Sequence, residues 1–513
     1  MSKANATMFS DLRRPHAYSH PVGDVCVEQT HASVVFLAGD FAYKLKKPVD
    51  LGFLDYSTLD KRRHYCQREV ELNRRLAADV YLGVVPVVDG EGGLRIGEDS
   101  GAEDVVEWAV KMRRLAAKNT LRRRLVDRRI PPDLFDELGR FIASFHDEAK
   151  RGAEVDACAS FEVVEKNALD NFSQTRVHIG EYIHPDVAKR LEECTRKRLR
   201  QLKPLIDGRA DGGVARDTHG DLRLEHVYVD DDRCLRIVDC IEFNDAFRYA
   251  DPVCDIAFLA MDLGFRGYDE EARQLLDAYF DEGDDDEGRE LVDFYVAYRS
   301  CVRAKVHGFK ADDEEVDEED RARSRRKARA HWLYALARLE EPWRGPALTL
   351  VGGLPASGKS TLGRKMVEED EADLVLDSDV VRKELAQMNP ETSGKADFGE
   401  GIYTAEWTRR TYEELARRAG EALARGRRVV VAATFVDDSR RRQMIDTARR
   451  MGVPVRFIEC RISDEEARRR LEARSGDASD ADFEIYEKMK ERWDEPSEEV
   501  RRIWVRRDPL LSK

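Results

Sequence analysis

The sequence predicts two domains of different class, an α+β domain followed by an α/β domain built on a parallel sheet with crossover helices. Three observations carry this expectation. The chain has 513 residues, too many for one ordinary domain. Residues 22–114 alternate in short β-like runs before long helical periodicities, whereas residues 346–513 alternate strand with helix throughout. Between them the composition breaks: eight of ten positions from Ala311 to Asp320 are acidic, and Arg321 to Arg329 is largely basic. The expected boundaries are therefore 1–310, a charged helical linker at 311–345, and 346–513.

In the first domain the runs VVFLAGDFAYKL, YLGVVPVV and VVEWAVKMRRL read as strands, with the amphipathic stretch Leu59 to Leu76 between them as a helix. Residues 131–206 and 252–307 repeat at the helical period and flank a β-rich segment, HVYVDDDRCLRIVDCIEF. A small β-rich lobe thus precedes a mainly helical one, with loops near residues 219–245. The opposed charge blocks of the linker suit a solvated helical hairpin. RARSRRKARAHWLYALARLEEPW reads as a helix, and the turn RGP closes it before the strand Leu348 to Val351. The runs DLVLDS, RRVVVAATF and VPVRFIEC supply further strands, and TAEWTRRTYEELARRAGEALARG a long helix.

Charged residues reach 37% and the net charge is −15, which repels polyanions and weighs against non-specific binding to nucleic acid or anionic membranes. No apolar run approaches the ~18 residues of a membrane span, and the first residues lack the apolar core of a secretory signal, so a cytoplasmic location is expected. Nine cysteines, scattered and never in C-x-x-C spacing, suit reduced thiols better than a disulfide framework or a zinc site.

The strongest motif is Gly353-Leu354-Pro355-Ala356-Ser357-Gly358-Lys359-Ser360, which fits G-x-x-x-x-G-K-[ST] between an apolar strand and the helix-compatible run TLGRKMVEE. Glycines let successive backbone N–H groups, Thr361 included, face phosphate oxygens at a helix N-terminus. Lys359 would reach the β/γ-phosphates of ATP, and the Ser360 hydroxyl would hold Mg²⁺. Asp377-Ser-Asp379-Val-Val-Arg382 follows the second strand, where a carboxylate meets the phosphate crevice.

A second constellation lies upstream. His219-Gly220-Asp221-Leu-Arg-Leu-Glu-His226 is followed eighteen residues beyond Asp221 by Asp239, at the end of the strand-like RIVD. The first acid can orient and deprotonate a hydroxyl, and the second can hold Mg²⁺ against ATP phosphates. Lys44, after three apolar strand residues, and Glu69 in the next helix complete a kinase-like order. Lys46 lies two residues on, on the same strand face, and is a candidate for the same task.

The C-terminal motifs resemble those of P-loop small-molecule and polynucleotide kinases, which implies a P-loop NTPase fold. By that resemblance Asp379 takes the acceptor's proton and Arg382 binds an anionic group or the transferring phosphoryl. DEEARRRLEARSGDASDAD looks like the family's lid, with Arg474 the better candidate for transition-state stabilisation and Arg470 the second. Ala432 stands where relatives carry an acid. HGDLRLEH, IVDCIEFN and DPVCDIAFLAMDL resemble the aminoglycoside phosphotransferase group, over roughly residues 20 to 308, which implies a bilobal protein-kinase-like fold. The resemblance makes Lys44 a nucleotide contact, Asp221 the base and Asp239 the Mg²⁺ ligand. His226 replaces the usual Asn of a second magnesium site, leaving one metal, recruitment of Glu242 or a catalytically weakened site. The whole layout resembles a bacterial fusion of the two kinase types.

The expected function is phosphoryl transfer from ATP to hydroxyls of small molecules. The alternatives are a nucleic-acid 5′-end kinase, which oligonucleotides would stimulate, and a nucleotide sensor with degraded metal sites at His226 and Ala432.

Overall fold

The computed structural model describes residues 10–52, 54–89, 93–97, 105–341, 344–388, 401–473 and 482–507. Two compact units emerge, one comprising Met1–Val164, Lys203–Gly264 and Tyr268–Val292, the other Glu165–Leu202, Phe265–Gly267 and Asp293–Lys513. Among the described residues no helix is long and apolar enough to cross a membrane. The fold combines α+β and α/β architecture, as the sequence predicts.

The first unit holds a six-stranded antiparallel sheet in the order β1-β2-β3-β6-β4-β5. Its strands are β1 (Val25–Gln29), β2 (Ser33–Ala38), β3 (Phe41–Lys46), β4 (Tyr81–Val88), β5 (Arg95–Ile96) and β6 (Val105–Arg113). β2 and β3 are joined by a two-residue turn, with Ala38 opposite Phe41 and Gly39 at φ +58°. Glycine adopts that left-handed backbone without penalty, so the turn fixes the register of the hairpin. The alternation of β3 then places Lys44 and Lys46 on one face. Across it lies the helix Leu59–Ala77, started by the Thr58 side chain, which accepts the Lys61 N–H. Its Cys66 and Val70 pack with Trp108 and Val110 of β6, bringing Glu69 over the same face.

Further along, β7 (Arg216–Asp217) pairs with β10 (Tyr249–Ala250), and β8 (Val227–Val229) with β9 (Leu235–Ile237). The helix Pro252–Phe265 is buried from Pro252 to Gly264, which explains its nearly unbroken apolar sequence. Helices Leu134–Glu148 and Asp269–Gly283 approach so closely that a Cβ on Gly139 would sit 2.6 Å from the Leu275 carbonyl oxygen.

The second unit contains a five-stranded sheet ordered β12-β13-β11-β14-β15, with every pairing parallel. These strands are β11 (Ala347–Gly352), β12 (Leu374–Asp377), β13 (Arg428–Ala432), β14 (Val455–Cys460) and β15 (Trp504–Arg507). β13 is buried along its whole length, as a central parallel strand covered on both faces must be. Helices Lys359–Glu368, Ser378–Leu385, Ala405–Ala424 and Asp438–Met451 make the crossovers.

The charged segment is more than a solvated hairpin. Its helix Glu318–Leu339 pairs outward charges along one flank, as in Arg323 with Glu319 at 3.2 Å. On the other flank Trp332, Leu333, Ala335 and Leu336 are buried in the same core as Leu348, Leu423 and Val429. A short apolar block under a long ionic run was enough to anchor it, which charge counting alone does not reveal.

Candidate active sites

In the first unit β3 and the helix Leu59–Ala77 build a buried ionic row. Lys44 Nζ lies 2.8 Å from Glu69 Oε1 and 2.7 Å from Asp239 Oδ1. Lys46 Nζ lies 2.8 Å from Glu69 Oε2 and also binds Glu242, whose Oε1 accepts the Tyr56 hydroxyl at 2.5 Å. Glu69 is 0% exposed and serves both ammonium groups. Burial opposes charge on Lys44, but Asp239, Glu69 and Glu242 outweigh it and hold its pKa above the ordinary range. Desolvation by the surrounding protein opposes ionisation of Asp239 in part, and Lys44 and Arg223 overcome it, keeping that carboxylate well below the usual range.

The two lysines differ in their partners. Lys44 reaches Asp239, whereas Lys46 is 2% exposed and committed to Glu69 and Glu242. Glu242 is in turn held by Lys46 and Tyr56, so its recruitment as a metal ligand would break a buried pair. Asp239 has the better credentials: its side chain is 47% exposed, and only its Oδ1 is taken by Lys44. Mg²⁺ binds through one or two carboxylates plus phosphate oxygens and water, and an exposed carboxylate edge fits that need.

The loop carrying Asp221 is fixed from beneath. Asp255, 0% exposed, accepts the N–H groups of His219 (2.9 Å) and Gly220 (2.9 Å), and Asp262 accepts that of Leu224 (3.2 Å). His219 Nε2 faces the Val238 carbonyl at 3.0 Å, and its Nδ1 accepts the Asp221 N–H at 3.3 Å. These bonds require the neutral ring, and burial pushes its pKa down to about 4. Asp221 itself is clamped by Arg223, with Nε on Oδ1 at 2.7 Å and Nη2 on Oδ2 at 2.9 Å. Nothing in the sequence reading singled out Arg223. Its position in the HGDLRLEH run was the available signal.

In the second unit the strand-to-helix turn forms a cradle. Gly353 has φ +144°, Ala356 +62° and Gly358 +92°, the last directly before the helix Lys359–Glu368. A Cβ on Gly353 would overlap the Cys460 carbonyl oxygen and sit 2.6 Å from Ser357 Oγ. The first helical bond runs from Leu362 N–H to the Gly358 oxygen, so the N–H groups of Ser360 and Thr361 precede the ladder at its positive end. Lys359 Nζ curls back across the loop that includes Pro355 to donate to the Leu354 carbonyl at 2.9 Å. Ser357 Oγ is buried and finds no partner among the described residues. A loop shaped this way, with an orphaned hydroxyl inside it, fits a polyphosphate.

Beyond the cradle, Asp377 Oδ1 caps the helix Ser378–Leu385 through the Asp379 N–H at 2.9 Å. Arg382, 7% exposed, donates from Nη1 to the Ile402 carbonyl (2.9 Å) and Thr408 Oγ1 (3.3 Å), and lies 5.1 Å over the Tyr403 ring. Its Nε is buried without an acceptor among the described residues. Arg470 Nη1 reaches the Ala356 carbonyl at 3.2 Å, which puts the second-ranked arginine on the cradle. Arg474 lies outside the described residues. Ala432 stands in register with Val351 and Asp377, so the end of β13 offers a methyl group where an acid was expected.

A lysine braced by a helix glutamate beside a loop aspartate, and a phosphate cradle on a parallel sheet, define an enzyme of the kinase and phosphotransferase class. Residues 58–294 match the model of the Phosphotransferase enzyme family, and residues 348–496 that of an AAA domain. The chain is a fusion of these two parts. It belongs to the family of uncharacterised proteins from Mycobacterium tuberculosis and Mycobacterium bovis, to which it is 33% identical over 476 residues, covering 91% of this chain and 90% of theirs. Among solved structures it is similar to a choline/ethanolamine kinase family protein from Mesorhizobium loti (17% identity, TM-score 0.40, 65% of this chain and 96% of that one). Another similarity is to a gluconokinase from Sinorhizobium meliloti 1021 (20% identity, TM-score 0.23, 32% of this chain and 83% of that one).

Proposed function

We propose that the chain is a bifunctional kinase, each half binding ATP with Mg²⁺ and phosphorylating a hydroxyl of a small molecule. The observation that carries this reading is the presence of two separately held lysines, Lys44 braced by Glu69 and Lys359 folded back onto the Leu354 carbonyl. ATP supplies the phosphoryl group, which exchanges its bond to the β–γ bridging oxygen for one to the acceptor oxygen, releasing ADP.

In the N-terminal half Lys44 binds the phosphates, Asp239 holds the metal ion, and Asp221 orients the acceptor hydroxyl and takes its proton. In the C-terminal half the backbone N–H groups from Gly353 to Thr361 and Lys359 bind the phosphates, and the Ser360 hydroxyl holds the ion. Asp379 takes the proton, Arg382 engages an anionic group of the acceptor through its unpaired edge, and Arg470 with Arg474 neutralises charge developing on the phosphoryl oxygens.

A second reading, a nucleotide sensor of low turnover, draws on the Arg223 clamp on Asp221 and on Ala432. Wild type, Lys359→Ala and Asp221→Ala, incubated with γ-labelled ATP and metabolite pools, separate the readings. Label appearing in different acceptors for the two variants supports bifunctional transfer. Nucleotide binding without label transfer in any protein supports the sensor, and equal transfer by all three overturns both site assignments.

A further inference from the structure

We propose that the guanidinium of Arg223 occupies the place of a second divalent ion in the N-terminal site, so that this half works with one metal ion and one fixed cation. This rests on the reading of that half as a nucleotide site.

The argument starts from His226, which stands where an oxygen ligand for a second ion was expected. Its Nδ1 faces the main-chain oxygen of Asp221 at 2.8 Å and must donate to it. Nε2 therefore carries the lone pair, and Arg223 Nη2 lies 3.0 Å from it as the donor. Imidazole nitrogen is already a poor ligand for an oxygen-preferring ion, and here its lone pair is spent on a guanidinium.

The neighbouring carboxylates are engaged in the same way. Arg223 binds both oxygens of Asp221 and, through Nη1, Glu225 Oε2 at 2.7 Å. The other oxygen of Glu225 accepts from Arg122 at 2.7 Å. A divalent ion at this position would have to displace a bidentate guanidinium, which matches carboxylate geometry and keeps its charge at every working pH. The root of the side chain is fixed as well: Leu222 and Leu224 on either side are 1% and 0% exposed. Asp239 differs. Its Oδ2 lies 3.5 Å from His226 Nε2 and its side chain is 47% exposed, leaving an edge for one ion. The outcome is a site with a permanent single positive charge beside the base and a single exchangeable ion beside Lys44.

The test counts metal ions rather than turnover. Full-length protein carrying Lys359→Ala, which removes nucleotide from the other half, is titrated with Mn²⁺ in saturating β,γ-imido-ATP. Free Mn²⁺ is read by electron paramagnetic resonance, and bound nucleotide by calorimetry on the same samples. One Mn²⁺ per nucleotide is expected, unchanged by His226→Asn alone, rising to two when Arg223→Ala and His226→Asn are combined. Two ions per nucleotide with Arg223 present would overturn the proposal, as would a combined variant that still binds nucleotide with one. If the combined variant loses its circular dichroism signal, Arg223→Gln gives the same readout, with a second, weaker ion expected. No nucleotide uptake by the Lys359→Ala protein would defeat the reading of the N-terminal half itself, and this inference with it.

Discussion

Glu69 neutralises Lys44 with one oxygen and Lys46 with the other, and is itself fully buried. Removing its charge leaves each ammonium one carboxylate instead of two, Asp239 for Lys44 and Glu242 for Lys46, which costs about 2 kcal/mol. Glu69→Gln should lower the urea midpoint of the N-terminal unit accordingly and weaken its nucleotide binding. His219 makes the stability of the same unit depend on pH. Its folded pKa of about 4 lies below the unfolded value of 6.5, so its contribution is complete above pH 6.5 and is lost as pH falls toward 4. Between pH 7 and pH 5 that loss is about 2 kcal/mol, and His219→Gln should flatten it in paired urea titrations. Lys44, Glu69, Asp221 and Asp239 are suggested in the sequence by the order of their motifs, and the structure brings Lys44 against Glu69 and Asp239. The pairing of Lys46 with Glu242 and Tyr56 could not be read there, since nothing local announces a pair 196 residues apart.

The strand-to-helix turn tolerates no side chain at Gly353, where a Cβ meets both a carbonyl and the Ser357 hydroxyl. Gly353→Ala should therefore abolish nucleotide binding by the C-terminal half in equilibrium dialysis, while leaving that of the N-terminal half intact. The helix Glu318–Leu339 gives a different expectation, because Trp332 is 1% exposed in the core shared with Leu348. Trp332→Ala should destabilise the P-loop unit by about 3–5 kcal/mol, read as a lower thermal midpoint and faster proteolysis. Most strands could be read directly, since valine-rich runs such as RRVVVAATF have few other uses. β15 went unseen because Trp504 and Val505 lie among arginines in a run too short for a period. The core face of the linker helix was hidden for a related reason: its buried apolar positions, from Ala328 to Leu336, follow a stretch in which charge dominates.

With one cradle in each compact unit, the intact chain should bind two nucleotides, and Lys359→Ala or Asp239→Asn should each leave one, as counted by calorimetry. Saturating each site at about 100-fold its Kd should add about 2.7 kcal/mol to the unfolding free energy of the unit that contains it. The halves differ in what they offer a cation at rest. The N-terminal half presents the open edge of Asp239, while the sheet of the C-terminal half ends β13 with Ala432, level with Asp377, one oxygen of which caps the next helix. A methyl group cannot tether an ion between turnovers, so on the proposed function magnesium would arrive and depart in that half as luggage of the triphosphate. Dialysing resting protein against a chelator should accordingly leave the melting of the C-terminal half untouched.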